Sequence, residues 1–198
     1  MDYAVLDQFE KTLCAYTGAT YAVLTDSCTH AIELCLRQQN ITGTVGMPRN
    51  TYISALMVLY KLGLTVKFTD EQWRYEYNYQ GTKIWDSARG LDQNMYRPGQ
   101  MQCLSFGHTK RLEIGHGGAV LLDNKQDYLE IKRMAYDGRD LTVKPWQNQV
   151  DWHVGYHYNM RLEDAVKGNT MLTNGDLKSI DSQRVDYPDV SKLSIRIN

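Results

Sequence analysis

No apolar run in the sequence is long enough to cross a bilayer, which excludes a membrane-spanning helix. Charge of one sign is lacking as well. The 22 Lys and Arg residues face 23 Asp and Glu, for a formal net charge of -1, so nothing draws the chain to nucleic acid or to an anionic membrane. The aromatic residues from Trp73 to Tyr79 alternate with charged and polar ones, but Asp70, Glu71 and Glu76 offset Arg74, which argues against a base-stacking platform. Met1 is followed by a polar amphipathic segment rather than by a signal peptide, and the expectation is a cytoplasmic protein. Cysteine is sparse and has no C-x-x-C spacing. Cys14, Cys35 and Cys103 lie in apolar runs, where a reduced thiol behaves as a small hydrophobe. Cys28 differs because it precedes a helical run, and there its backbone N–H, not its sulfur, is expected to matter. His153 and His157 are four apart, yet Gly155 lies between them and their flanks are aromatic rather than helical, so no metal site is expected.

What is present is enough for one core. With 42% hydrophobic residues, 1–198 reads as a single domain, with 180–198 as a loosely ordered tail or a segment lying against a partner chain. Val5, Leu6, Phe9 and Leu13 share one face of a helix from about Tyr3 to Tyr16, which Gly18 ends. Strand and helix then alternate through Tyr21–Leu24, Ala31–Leu36, Val45–Met47, Ser54–Leu62 and Val66–Phe68. This is the pattern of a mostly parallel α/β sheet flanked by helices. A helix is predicted from Asn124 to Tyr136 with Gly138 as its stop, a surface loop from Asp140 to Trp152, and a last helix from about Leu162 to Leu172.

Four stretches carry chemistry. Ser105-Phe106-Gly107-His108-Thr109-Lys110 runs on to Gly115-His116-Gly117-Gly118, so Lys110 sits on a loop between two short buried strands. A lysine held that way, partly desolvated, can form a Schiff base with an aldehyde; the alternative is a solvated surface lysine. Ile84-Trp85-Asp86 places a carboxylate at a strand end, where α/β sheets build a ligand crevice, although a plain turn residue would look the same. Ser27-Cys28-Thr29 makes a strand-to-helix turn suited to a phosphate. Pro48-Arg49-Asn50-Thr51-Tyr52 brings an aromatic ring to the mouth of the next helix, as either a ligand contact or a core tyrosine. A ligand with a phosphate, an aromatic ring, a basic ring nitrogen and an aldehyde satisfies all four, and pyridoxal phosphate is such a ligand.

The same stretches, in order, resemble the DegT/DnrJ/EryC1/StrS family of pyridoxal-phosphate-dependent sugar aminotransferases, of the fold-type I superfamily. Phe9-Glu10, Ala15-Tyr16-Thr17-Gly18 and Tyr21-Ala22-Val23 are similar to its F-E, A-x-x-G and Y-A-V. Ser27-Cys28-Thr29 resembles S-G-T, Pro48 with Thr51-Tyr52 resembles P-x-x-T-F, and Asp86-Ser87-Ala88-Arg89 resembles D-A-A-Q. The lysine stretch looks like S-F-x-x-T-K with G-E-G-G, and Gly155-Tyr156-His157-Tyr158-Asn159-Met160 falls on G-Y-N-Y-R-M. The resemblance implies that Lys110 binds the cofactor aldehyde and shuttles a proton, and that Asp86 faces the pyridine nitrogen. It also implies that Cys28, Thr29 and Ser105 hold the phosphate and that Tyr52 stacks on the ring. Arg89 stands for the family's glutamine near the ring hydroxyl, His116 for its G-E-G-G glutamate, and His157 for the asparagine that reaches the neighbouring subunit's phosphate, which implies a homodimer with a shared site.

The resemblance also exposes departures. Between Asp70 and the strand bearing Asp86 the family places a helix, a strand and another helix, whereas Glu71 to Lys83 is thirteen residues, too few for all three. The family's smaller C-terminal domain is missing from this sequence. The reading is therefore a shortened large domain of the pyridoxal-phosphate transferase type, moving an amino group from glutamate or glutamine to a keto sugar, possibly nucleotide-linked. A non-catalytic homologue acting as a binding or partner subunit is the alternative.

Overall fold

A computed structural model describes residues 3–179 and 186–196. Five strands form one sheet in the order β1-β7-β6-β5-β4: β1 (Tyr21–Thr25), β4 (Tyr77–Asn78), β5 (Ile84–Asp86), β6 (Met101–Ser105) and β7 (Gly118–Leu122). β2 (Thr44–Pro48) and β3 (Thr65–Thr69) pair separately, and a bridge between Gly46 and Gln80 connects them to the residue region just after β4. Helix α2 (Cys28–Gln38) packs across β5, β6 and β7 and touches α3 (Ile53–Lys61) and α4 (Lys125–Ala135), while α1 (Ala4–Thr17) packs against α5 (Leu162–Asn174).

The α/β layering is as expected, but the pairing is mixed rather than mostly parallel. Only β5–β6 and β2–β3 run parallel; β1–β7, β6–β7 and β4–β5 are antiparallel. Connection length explains part of this. A parallel pair needs a crossover of about a dozen residues or more, which the five residues between β4 and β5 cannot make, whereas residues 87–100 carry β5 over to a parallel β6 without a helix. The thirteen residues before β5 thus supply one short strand in place of a helix, strand and helix.

Local rules account for the element ends. Gly18, left-handed, closes α1 with its N–H on the Cys14 carbonyl, and Ser27 and Asn124 cap α2 and α4 by accepting backbone N–H bonds. The expected surface loop from Asp140 to Trp152 holds a single 3₁₀ turn, Trp146–Asn148. Of the expected tail, 180–185 and 197–198 lie outside the described residues, but the stretch around Asp189 and Val190 is docked rather than loose. The Val190 N–H donates to the Arg49 carbonyl at 2.8 Å, Asn50 bridges Asp189, and the Val190 side chain is buried. Among the described residues no helix is long and apolar enough to cross a membrane.

The register places side chains as well as backbone. Tyr77, Asp86, Cys103, Val120 and Val23 are successive partners across the sheet and therefore share one face. Cys35 Sγ lies 3.8 Å from Cys103 Sγ, so that face is the one α2 covers.

Against β1, an edge strand of the sheet, the F-E stretch of α1 has a structural task. Glu10 Oε1 is buried and accepts from the Leu24 N–H at 3.1 Å and from Lys132 Nζ at 2.6 Å, tying α1 to β1 and α4. Burial pushes the Glu10 carboxyl up, and Lys132 pulls it back. Lys132→Met should leave an unpaired buried carboxylate and cost roughly 3–5 kcal/mol in urea unfolding at neutral pH. The double variant with Glu10→Gln should recover most of that loss.

Candidate functional site

A cavity of about 660 Å³ opens at the carboxyl ends of β1, β5 and β6. It gathers Cys28, Thr29, Tyr52, Asp86, Arg89, Ser105 and Lys110, which come from four separate stretches of sequence. His157 is not among them. It is 82% exposed, its Nδ1 lies 3.1 Å from Asp137 Oδ1, and its backbone bridges Tyr136, so it contributes nothing to the cavity of its own chain.

The lysine loop is shaped by its glycines. Lys110 N–H closes a turn on the Gly107 carbonyl at 3.0 Å, and the chain returns through Gly115 and Gly117 with φ of 108° and 112°, values that L side chains rarely adopt. At Gly118 the constraint is space. A Cβ there would lie 2.5 Å from the Cys28 nitrogen and 2.7 Å from the Leu104 carbonyl oxygen, so only glycine lets β7 run this close to the start of α2.

The turn before α2 is fixed from both sides. Ser27 Oγ accepts from the His30 N–H at 3.2 Å, and the Asp26 N–H donates to the Tyr158 carbonyl at 2.7 Å. His30 is held at Nδ1 by Asp26 Oδ1, 2.6 Å away, and its ring stacks on Tyr158 with centroids 3.6 Å apart. The G-Y-H-Y-N-M stretch therefore braces the phosphate-type turn through Tyr158. Cys28 and Thr29, the first residues of α2, line the cavity where the positive end of the helix dipole meets it. Thr29 Oγ1 lies 2.8 Å from Ser54 Oγ. Cys28 Sγ turns inward and donates to the Cys103 carbonyl at 3.4 Å, and burial pushes the thiol well up, so its sulfur stays protonated and inert.

Lys110 and Asp86 share this cavity with opposite charges that both resist ionisation. Burial lowers the Lys110 ammonium, and Arg89 lowers it further, while Cys28 and Asp86 work the other way. Burial raises the Asp86 carboxyl against three opposing contacts: the Ala88 N–H on Oδ1 at 3.0 Å, the Tyr77 hydroxyl on Oδ2 at 3.0 Å, and the charge of Lys110. The Ala88 bond is the kind a strand-end turn aspartate makes. The Tyr77 bond is not local, and Tyr77 in turn accepts from Thr51 Oγ1 at 3.1 Å.

Tyr52 is 60% exposed at the start of α3, so it is a cavity-rim residue and not a core tyrosine. Its ring meets the edge of Tyr187 at 6.4 Å. Ser105 and His116 also line the cavity, His116 with Nδ1 3.9 Å from Asp164.

Four lining or supporting residues escape the sequence reading: Tyr77, Trp73, Ser54 and Tyr187. The alternation of Trp73 to Tyr79 marks Tyr77 as a strand residue, but nothing local marks Tyr187, which reaches the cavity from the far end of the chain. A second hollow, about 800 Å³, runs along α1, β1 and α4, but its buried lysine, Lys132, is already matched by Glu10. No group of three metal-binding side chains occurs among the described residues.

A mixed α/β sheet with a desolvated lysine, a buried carboxylate and a helix N-terminus around one cavity defines a large domain of the pyridoxal-phosphate transferase type. The sequence profile of the DegT/DnrJ/EryC1/StrS aminotransferase family matches residues 1–84 and 78–184, and the chain belongs to that family. No curated protein matches it in a sequence search. Among solved structures it is similar to 3-amino-5-hydroxybenzoic acid synthase, with TM-score 0.70 and 19% identity over 87% of this chain and 56% of that one. It is also similar to Helicobacter pylori PseC, an aminotransferase of pseudoaminic acid biosynthesis, with TM-score 0.70 and 16% identity over 89% and 58% of the two chains. NtdA from Bacillus subtilis, solved with bound cofactor PMP, matches with TM-score 0.67 and 20% identity over 85% and 47%. The chain thus spans 47% to 58% of the length of these proteins.

Asp86 gives a pH test. An acid that is harder to ionise in the fold than in the unfolded chain costs nothing at low pH and destabilises the fold as pH rises through its raised range. Asp86→Asn should therefore melt higher than the wild type at about pH 8 without cofactor, and the gap should close towards about pH 4. A melting difference that is flat across pH would show that the carboxylate carries no such cost.

Proposed function

We propose that this cavity binds pyridoxal phosphate and that the protein is an aminotransferase taking its amino group from glutamate or glutamine and giving it to a keto sugar, possibly nucleotide-linked. The observation that carries the reading is the convergence of Lys110, Asp86 and the α2 N-terminus on one cavity. The donor set fits the cofactor. It offers an amine with a depressed proton affinity for an aldehyde, a carboxylate for a protonated ring nitrogen, and a helix start with the Thr29 and Ser105 hydroxyls for a phosphate. When bound, pyridoxal phosphate supplies an electron sink for the carbon that gains or loses the amino group.

The protein's own part follows from these residues. Lys110 Nζ would hold the cofactor aldehyde and, when free, would be the base that carries the proton moved during transfer. A positive ring nitrogen beside Asp86 would supply the countercharge its buried carboxylate lacks, and the Tyr77 and Ala88 bonds fix that carboxylate in place. Tyr52, on the rim, would stack on the ring, and Arg89 would face the ring hydroxyl. His157, exposed and outside its own cavity, would reach the phosphate of a second copy, and the active form would then be a homodimer with a shared site.

The reading is tested by adding pyridoxal phosphate to the purified protein. A visible absorption band should form, should be absent in Lys110→Ala, and should convert to the pyridoxamine-type spectrum when glutamate or glutamine is added. No band in the wild type, or a band that survives Lys110→Ala, overturns the cofactor assignment. A band that no amino donor converts supports a non-catalytic binding subunit instead.

A further inference from the structure

We propose that Tyr77 is a positioning residue for the reaction at this site: its buried phenol, backed by Thr51, fixes the Asp86 carboxylate and favours its ionised form. That the fixed charge serves a ring nitrogen rests on the cofactor reading; the hydrogen-bonded chain itself does not.

The two bonds that hold Asp86 differ in kind. Oδ1 accepts from the Ala88 N–H, two residues on, as an aspartate does in many turns. Oδ2 accepts from the Tyr77 hydroxyl at 3.0 Å, and Tyr77 lies directly opposite Asp86 in the β4–β5 register. β4 forms in the thirteen-residue stretch that stands in place of a helix, a strand and a helix, so this bond is a product of the shortened connection.

Chemistry sets the order of donors along the chain. A carboxylate only accepts, so the single Tyr77 proton goes to Asp86, and Thr51 Oγ1, 3.1 Å away, donates to the Tyr77 oxygen. Burial, helped by the charge of Asp86, pushes the Tyr77 phenol well up, so it remains a donor wherever Asp86 titrates. A hydroxyl bonds an ionised acceptor more strongly than a neutral one, and the chain therefore favours the carboxylate over the acid. The ring is held in place: it is fully buried, with edge contacts to Trp73 at 5.0 Å and Tyr79 at 5.5 Å. Asp86 and Thr51 line the cavity with Tyr77 behind them, so Tyr77 acts through Asp86 and not on a ligand. Thr51 also follows Asn50, which holds Trp73 and Tyr187, so one loop both builds the rim and backs the carboxylate.

The test follows Asp86 by NMR in cofactor-free protein isotope-labelled at the aspartate carboxyl carbons, its resonance identified by its loss in Asp86→Asn. In Tyr77→Phe the midpoint of its titration should rise by about one pH unit or more relative to wild type. Thr51→Val should raise it by less, and it serves as the readout if Tyr77→Phe fails to fold. Lys110, Cys28, Tyr79, Cys103 and Tyr187 also act on Asp86, but wild type and variants share them, so the difference isolates the Tyr77 bond. A phenol that only filled space would leave the midpoint where it is. An unchanged or lowered midpoint in Tyr77→Phe overturns the proposal, as does the same result in Thr51→Val where that is the variant that folds. Pyridoxal phosphate added to wild type should lower the midpoint, because a positive ring nitrogen favours the carboxylate. Should the variants raise the midpoint while pyridoxal phosphate leaves it unmoved, the role of Tyr77 stands and the cofactor reading falls.

Discussion

Two opposite charges removed from water in one cavity form the constraint on which the rest of this structure depends. For both Lys110 and Asp86, burial outweighs the attraction between them, so each resists the ionised state. A fold gains nothing in stability from such a pair. What it gains is a lysine whose amine is available and a carboxylate whose field is unscreened, provided a ligand arrives that is positive towards Asp86 and electrophilic towards Lys110. The surrounding structure serves to hold both groups in this disfavoured condition. The Tyr77 and Ala88 bonds keep Asp86 from turning away, and the glycines at 115, 117 and 118 hold the lysine loop against the start of α2.

That start of α2 is where two remote stretches meet. β7 approaches it through Gly118, Tyr158 receives the Asp26 N–H, and His30 lies between Asp26 and the Tyr158 ring. The stack continues outward, with Tyr156 parallel to Tyr158 at 5.1 Å and the Arg37 guanidinium 4.8 Å over Tyr156. Below it the buried Glu33 pairs with Arg37 and Lys61. A helix N-terminus positioned this firmly is preorganised for an anion, since little ordering remains to be done on binding.

Much of this was legible in the sequence, and the parts that were not share a cause. The helix stop at Gly18, the strand carrying Asp86 and the lysine loop between two strands follow from local signals: a glycine after an apolar stripe, a short apolar run, a glycine cluster. The gathering of seven site residues was legible only through the order of motifs, because spacing alone does not say which strand ends share a crevice. The sheet's mixed pairing was missed because helix-free connections join both a parallel pair, β5–β6, and antiparallel ones, β4–β5 and β6–β7, and the two-residue β4 is too short for any periodicity to reveal. Tyr77 and Tyr187 were missed because their contacts are tertiary: one is placed beside Asp86 by strand register, the other reaches the cavity from a segment docked on Arg49 and Asn50.

The position of that docked segment bears on how a chain spanning 47% to 58% of its structural relatives can still enclose a site. A cavity at strand ends needs a wall on its open side if water is to be kept from the reacting groups. Here Tyr187, Trp73 and Tyr52 make an aromatic rim, with Tyr187 packed face to face on one ring and edge-on to the other. Its backbone is held by Asn50, the residue whose carbonyl also fixes Trp73. One loop after β2 therefore sets both faces of the rim, and Tyr52, two residues further on, completes it. Lys110 and Asp86 thus share their cavity with a rim of aromatic rings set by this one loop, apolar surface that favours a desolvated amine.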